Sequence, residues 1–141
     1  MRYLLDTSII GNVTGPSPSQ SLLAWLAEQD DDDLYIASLT IAEIRRAILE
    51  TPAGKYRNDL EDWFGGPEGP QALFAGRVLP FDGAASLIWA RMMADAKASG
   101  QPRSALATIT AAVAEANGCI VVTDNAKGFP GVEIINPMCE G

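Results

Sequence analysis

Short apolar runs alternate along this chain with longer stretches in which apolar residues recur at helical spacing. Strands are predicted at residues 3–5, 34–37, 77–79, 120–123 and 132–135. Helical patterns separate these strands, and this alternation is typical of a parallel sheet flanked by helices. We therefore expect an α/β fold, a single domain over residues 1–141 with a central, mostly parallel sheet.

Polar residues and glycines mark the expected ends of the helices. Asn117-Gly118, for example, is a pair that terminates helices. The stretch 65–70, Gly-Gly-Pro-Glu-Gly-Pro, is expected to be a flexible connector that is too short to divide domains. The predicted helices are one capped by Ser19 or Ser21, one over 41–50, one around 60–64, one from Asp82 to Gly100 and one over 105–116.

The composition fits one domain of ordinary size. The chain has 141 residues, of which 48% are hydrophobic, so it can bury a core. No apolar run approaches the roughly 20 residues of a membrane span, and the opening Met1-Arg2-Tyr3 lacks the pattern of a secretion signal. Cys119 and Cys139 have neither disulfide-framework nor zinc-site spacing; we expect a buried Cys119 and a bystander Cys139. A soluble, cytoplasmic protein is predicted.

Charge and the absence of one residue type narrow the chemistry. The net charge of -8 disfavours broad electrostatic binding of nucleic acid, although a local basic patch or a bound metal could hold a phosphate backbone. The same charge suits a basic protein partner. Histidine is absent, which excludes histidine triads, histidine zinc sites and imidazole bases. Catalysis would have to use carboxylates with a metal, or an unusual nucleophile.

Polar residues follow two of the predicted strands. Asp6 comes directly after the first strand, and residues 123–125, Thr-Asp-Asn, end another. Glu43 lies near the start of a helix that follows the second strand. Because ligands of open α/β sheets bind beyond the carboxyl ends of the strands, these residues suggest a divalent-metal site.

Simpler explanations exist for the same residues. Asp6, followed by Thr7 and Ser8, could cap a helix beginning near Ile9. The sequence Thr40-Ile-Ala-Glu43 also fits a capping box, and for Glu43 taken alone that explanation is favoured. Neither explanation accounts for the order of all the motifs together.

That order resembles the PIN-domain ribonucleases, and among them the VapC and FitB group of toxin-antitoxin toxins. The resemblance covers nearly the whole chain, and four short motifs in the right order and spacing carry it. It implies a three-layer sandwich with a central, mostly parallel sheet. The segments are 4–8 (Leu-Leu-Asp-Thr-Ser), 38–44, 77–82 and 121–125, with 74–77 and 135–137 in support.

The resemblance implies a site of three or four acidic residues that hold Mg²⁺ or Mn²⁺ and cleave RNA phosphodiesters. Asp6 matches the first acid and Glu43 the second, with Asn125 at the position of the fourth. The position of the third is occupied by Ala107. In an intact site the first acid would be the main metal ligand, the second a ligand or water-orienting base, and the amide a neutral oxygen ligand or substrate contact.

Other positions match residues that support such a site. Thr7 and Ser8 match the polar pair beside the first acid, and Thr123 a supporting hydroxyl. Asp124 stands where many members have an arginine.

Ala107 is the departure that matters. Mg²⁺ is commonly held by one or two carboxylates plus water, so losing one acid of a small set removes much of the binding charge. A serine followed three positions later by an acidic residue is a helix-capping pattern. Ser104 fits its first position, but Ala107 lacks the acidic side chain of the second. The survival of the rest of the site favours a deliberate inactivating replacement over a natural loss. We expect this chain to bind metal poorly and to be inactive or weakened.

The implied partners are a cognate basic-tailed antitoxin, an RNA substrate and a second copy of the chain, with a heterotetramer or larger assembly once the antitoxin binds. An alternative is a non-catalytic antitoxin-binding or regulatory module with a degenerate site. A phosphoacceptor role for Asp6 is disfavoured, because Ser8 stands where a haloacid-dehalogenase-like phosphatase has its second aspartate. Receiver domains would in addition need adjacent acids before that strand.

Overall fold

The computed structural model describes residues 1–138, apart from the side chain of Ala126. Cys139 lies outside this range. The strands are β1 (Arg2–Leu5), β2 (Leu34–Ala37), β3 (Val78–Leu79), β4 (Cys119–Val122) and β5 (Ile134–Ile135). The α-helices are α1 (Thr7–Val13), α2 (Gln20–Ala27), α3 (Ser38–Glu50), α4 (Lys55–Gly65), α5 (Pro70–Leu73), α6 (Gly83–Ala98) and α7 (Ala105–Ala116).

The strands form one sheet in the order β3-β2-β1-β4-β5, and every neighbouring pair is parallel. The predicted α/β class with a parallel central sheet is therefore confirmed. From β1 the chain crosses first to β2 on one side and later to β4 on the other. Strand order thus reverses between β1 and β4, the position at which open α/β sheets bind ligands.

Helices cover both faces of the sheet, as a parallel sheet requires. Side chains of successive strand residues point to opposite faces, so Leu4 and Val121 join one buried cluster while Leu5 and Val122 join the other. The first cluster is packed by α6 and α7, the second by α1, α2 and α3. The result is the three-layer arrangement that the sequence resemblance implied.

The helix ends agree with the sequence in most places. Ser19, Asp82 and Ser104 cap α2, α6 and α7 with their side chains. The bounds of α7 are those predicted, and it ends because Gly118 adopts φ 65°, a left-handed conformation that favours glycine.

The connector expected at 65–70 is exposed at Gly65, Pro67 and Glu68, but its last two residues are packed. Pro70 is buried, and the backbone of Gly69 lies so near the carbonyl oxygens of Trp63 and Phe64 that a Cβ could not fit. Local composition suggested mobility, but the tertiary contacts hold this turn against the end of α4.

Candidate functional site

The register of the sheet brings Asp6 beside Thr123. Leu5 pairs with Val122 across β1 and β4, so the next residue of each strand leaves the sheet at the same edge. The Asp6 backbone N–H donates to Val122 at 2.9 Å. The Thr123 hydroxyl, fully buried, donates to Oδ2 of Asp6 at 2.9 Å. Two residues 117 positions apart are thereby fixed at the carboxyl end of the sheet.

Asp6 is also the N-cap of α1. Its Oδ1 accepts from the backbone N–H of Thr7 at 2.9 Å, and its Oδ2 accepts from the Ser8 hydroxyl at 3.3 Å. The helix therefore starts at Thr7, two residues earlier than the capping explanation placed it. Capping and a site role do not exclude each other, because the cap fixes the carboxylate at the edge of the sheet.

Glu43 reaches the same edge from α3. The Thr7 hydroxyl donates to Oε1 of Glu43 at 2.7 Å and lies 2.9 Å from the hydroxyl of buried Thr40. The capping-box explanation is wrong, since α3 begins at Ser38 and Thr40 lies inside it. Thr7 instead links the two acids, because its hydroxyl donates to Glu43 and its backbone N–H donates to Asp6.

The first turn of α7 forms the facing wall. Ser104 accepts from the Ala107 backbone N–H at 3.3 Å, which makes Ala107 the third residue of the helix, as the cap pattern predicted. Leu106 lines the same wall with a side chain that is 45% exposed. Sequence reasoning missed Leu106; its only signal was a large apolar residue in an exposed first turn.

Asn125 completes the site from the loop after β4. Its backbone N–H donates to the Thr123 hydroxyl at 3.0 Å. Its side-chain amide packs against Gly128, and a Cβ added to Gly128 would lie only 2.5 Å from the amide nitrogen. Asp124 is exposed and is absent from the lining of the cavity described next.

These residues enclose one cavity of about 320 Å³. The structure thus brings together Asp6, Glu43, Ala107 and Asn125, with Thr7 and Ser8 beside them. Two carboxylates and one amide face the cavity, and within residues 1–138 no three His, Cys, Asp or Glu side chains are grouped closely enough to hold a metal ion. Oxygen donors of this kind suit hard divalent cations, although two carboxylates are few.

Comparisons with known proteins agree with this geometry. Residues 3–133 match the family model described as PIN domain. The chain is 38% identical over 136 residues to the VapC ribonuclease Y4jK of Sinorhizobium fredii, covering 95% of this chain and 96% of the relative. It is 33% identical, with the same coverage, to Toxin FitB of Neisseria gonorrhoeae.

Solved structures give the same result in three dimensions. A structure of FitAB bound to an IR36 DNA fragment matches with a TM-score of 0.88 and 32% identity, covering 97% of this chain and 96% of that one. FitAcB from Neisseria gonorrhoeae matches with a TM-score of 0.87 and 33% identity, covering 96% and 97%. Within the described part of the chain, no helix is long and apolar enough to span a membrane.

Proposed function

From the premise that this chain belongs to the PIN-domain family, we propose that it is the toxin of a toxin-antitoxin pair, with a site built for metal-dependent cleavage of RNA. The observation that carries the nuclease part is the meeting of Asp6 and Glu43 in one cavity at the carboxyl edge of the sheet. We further propose that apolar residues on the wall opposite leave this chain inactive or severely weakened.

The donor set fits Mg²⁺ or Mn²⁺ in kind. Asp6, Glu43 and Asn125 would hold the ion through oxygen atoms, which these cations prefer. When bound, such a dication would lower the pKa of a water molecule and neutralise charge on the phosphodiester. Ala107 stands where a third carboxylate would add both charge and a fixed oxygen.

The residues of the chain prepare the site in defined ways. Glu43 uses Oε1 to accept from Thr7, which leaves Oε2 to act as a second metal ligand or to orient an attacking water and take up its proton. Thr123 and Ser8 hold Oδ2 of Asp6 and so fix its carboxylate plane. The amide of Asn125 would serve as a neutral oxygen ligand or contact the substrate. No histidine is needed for this division of roles.

The partner we propose is a small antitoxin with a basic tail. The net charge of -8 complements such a tail, and electrostatic complementarity accelerates association. An Arg or Lys of the tail would enter the cavity and form charge-assisted hydrogen bonds with Asp6 and Glu43. We propose that the chain forms a homodimer in the cytoplasm. Binding of the antitoxin would enlarge this dimer to a heterotetramer or a larger assembly.

The decisive experiment is Ala107→Asp. A carboxylate at this position should create Mn²⁺ affinity measurable by calorimetry and RNA cleavage measurable with a fluorescent substrate, because a third acid raises the charge density of the site. Leu106→Asp is a second variant, since this side chain lines the same wall. Asp6→Asn in the Ala107→Asp chain should abolish the gain.

Ala84→Asp is the matched control. Ala84 is likewise an alanine in the first turn of a helix, α6, but it is exposed and does not line the cavity. Its aspartate should change neither metal binding nor cleavage. Equal cleavage by the unchanged chain, Ala107→Asp and the Asp6→Asn double variant would show that the acidic cluster is not the catalytic site.

One observation favours a second candidate function, a non-catalytic antitoxin-binding module. Two apolar residues, Leu106 and Ala107, line the same cavity as the carboxylates, and such a wall suits the aliphatic part of a partner's Arg or Lys side chain better than a metal ion. This function predicts antitoxin binding by the unchanged chain and no gain of cleavage from either aspartate variant.

A further inference from the structure

A second cavity, of about 520 Å³, adjoins the acidic one. Arg103 lines it, and the next residue, Ser104, lines the acidic cavity. Pro130 lines it, and the preceding Phe129 lines the acidic cavity. Adjacent Cα atoms are about 3.8 Å apart, so residues that line the two cavities lie next to each other at two places along the chain.

The charges in this second cavity are divided unequally. Arg91 is engaged by Glu115, whose two carboxylate oxygens both lie 2.9 Å from Nη2. That leaves Arg103 and Lys127 as cations, with Asp95 as the opposing acid. Within residues 1–138, neither of these two cations takes part in an ion pair.

The guanidinium of Arg103 is placed for a partner that the described chain does not supply. Its Nε and Nη2 atoms are buried and have no hydrogen-bond partner among the described residues. Leaving charged donors buried and unsatisfied costs free energy, which the side chain would recover by turning these donors into the cavity toward an anion. The planar fork of an arginine matches the oxygens of a phosphate in two parallel hydrogen bonds.

We propose that Arg103 and Lys127 form a phosphate subsite that holds the RNA backbone next to the acidic cavity. The inference rests on the proposed function, because the bound chain must run from this subsite to Asp6 and Glu43. A protein of net charge -8 repels a polyanion, and the acidic cavity repels it further. Arg103 and Lys127, one and two residues along the chain from residues that line that cavity, counter this repulsion where the substrate enters.

The test measures binding of a short fluorescein-labelled single-stranded RNA to the full chain by anisotropy, over a series of salt concentrations. Arg103→Gln and Lys127→Gln should each weaken binding about tenfold at low salt, and each should reduce the slope of log affinity against log salt by about 0.7. Arg103→Lys should retain part of the affinity, because a point charge replaces the fork.

Lys55→Gln is the matched control, since it removes the same charge from a side chain that is 89% exposed and lies outside both cavities. It should bind RNA like the unchanged chain. Thermal melting checks that each variant folds. If Arg103→Gln does not fold, the result for Lys127→Gln is decisive, because Lys127 is exposed. Equal RNA binding by the unchanged chain and Lys127→Gln overturns the subsite, and so does undetectable RNA binding by the unchanged chain.

The remaining outcomes separate the ligand source and the two proposals. Binding of inorganic phosphate that depends on Arg103, without any effect on RNA, assigns the site to a free phosphate and overturns the RNA subsite. If Ala107→Asp cleaves RNA while Arg103→Gln and Lys127→Gln bind it normally, only the subsite fails. If both cations are needed for binding but no aspartate variant cleaves, the subsite stands and the proposed cleavage fails.

Discussion

Thr7 is the residue that joins the two carboxylates of the site. Its backbone N–H donates to Asp6, and its hydroxyl contacts both Glu43 and Thr40. A hydroxyl has one proton, so if Thr7 donates to Glu43 it must accept from Thr40. The resulting chain of hydroxyls fixes the orientation of Glu43 before any ligand arrives.

We expect Thr7→Val, which keeps the shape and removes the hydroxyl, to release Glu43 from this orientation. In the Ala107→Asp chain it should lower Mn²⁺ affinity and RNA cleavage about tenfold, as the loss of groups that orient metal ligands commonly does. Calorimetry and the cleavage assay measure both effects. Thr51→Val is the control, because that hydroxyl bonds only to a helix-end carbonyl. Equal behaviour of the two valine variants would contradict the role given to Thr7.

Cys119 is 8% exposed, and burial raises the pKa of its thiol, with a smaller opposing effect from Arg2. Because the thiolate is the reactive form, we expect slow alkylation by iodoacetamide in the folded chain and rapid alkylation in denaturant. Because the pKa is raised in the folded chain, the stability that this thiol contributes is fully present below its ordinary pKa and is lost as pH rises through the raised pKa. Peptide mapping separates Cys119 from Cys139, and equal alkylation rates with and without denaturant would refute the expectation.

At the scale of elements, the turn between α4 and α5 shows how packing overrides composition. Glycines and prolines over 65–70 suggest a mobile link, yet the turn closes on the end of α4 with Pro70 buried. Close backbone approach explains why a glycine stands at position 69.

Gly69→Ala should destabilise the fold by about 1–3 kcal/mol, because its Cβ would overlap the carbonyl oxygens of Phe64 and Trp63. Gly65→Ala is the matched control, since a Cβ there meets nothing within 4 Å and the residue ends a helix. It should be neutral or stabilise slightly. Urea unfolding of both variants measures the difference, and equal midpoints would show that the turn can move to accept the methyl group.

For the whole molecule, the parallel sheet is what assembles the site. Asp6 follows β1, Thr123 follows β4 and Glu43 comes from the helix after β2, so three neighbouring strands deliver their residues to one edge. A single slipped register would turn the Asp6 and Thr123 side chains away from each other.

With its net charge of -8, the protein should associate with a small protein that has a basic tail and is encoded by a neighbouring gene. Co-expression is expected to yield a complex that withstands purification and weakens as salt is raised, because charge contributes to its formation. Glu43→Gln, which removes one charge from the cavity, should speed dissociation. A stable solitary monomer that the neighbouring product neither binds nor affects would count against the toxin-antitoxin assignment.

The sequence by itself determined those features that depend on neighbours along the chain. Alternating apolar runs located the five strands to within two residues, and Ser104 and Gly118 bounded α7, because propensities and caps act over a few residues. Asp6, Glu43 and Asn125 were found for the same reason: each follows a strand or lies in the helix after one.

Only the tertiary structure decided which side chains meet. The bond from Thr7 to Glu43 spans 36 positions and that from Thr123 to Asp6 spans 117, and no local rule chooses partners at such separations. The same holds for the wall formed by Leu106 and for the two buried nitrogen atoms of Arg103. Sheet register and the packing of helices on it fix these contacts, which is why they could not be predicted from the pattern of residues.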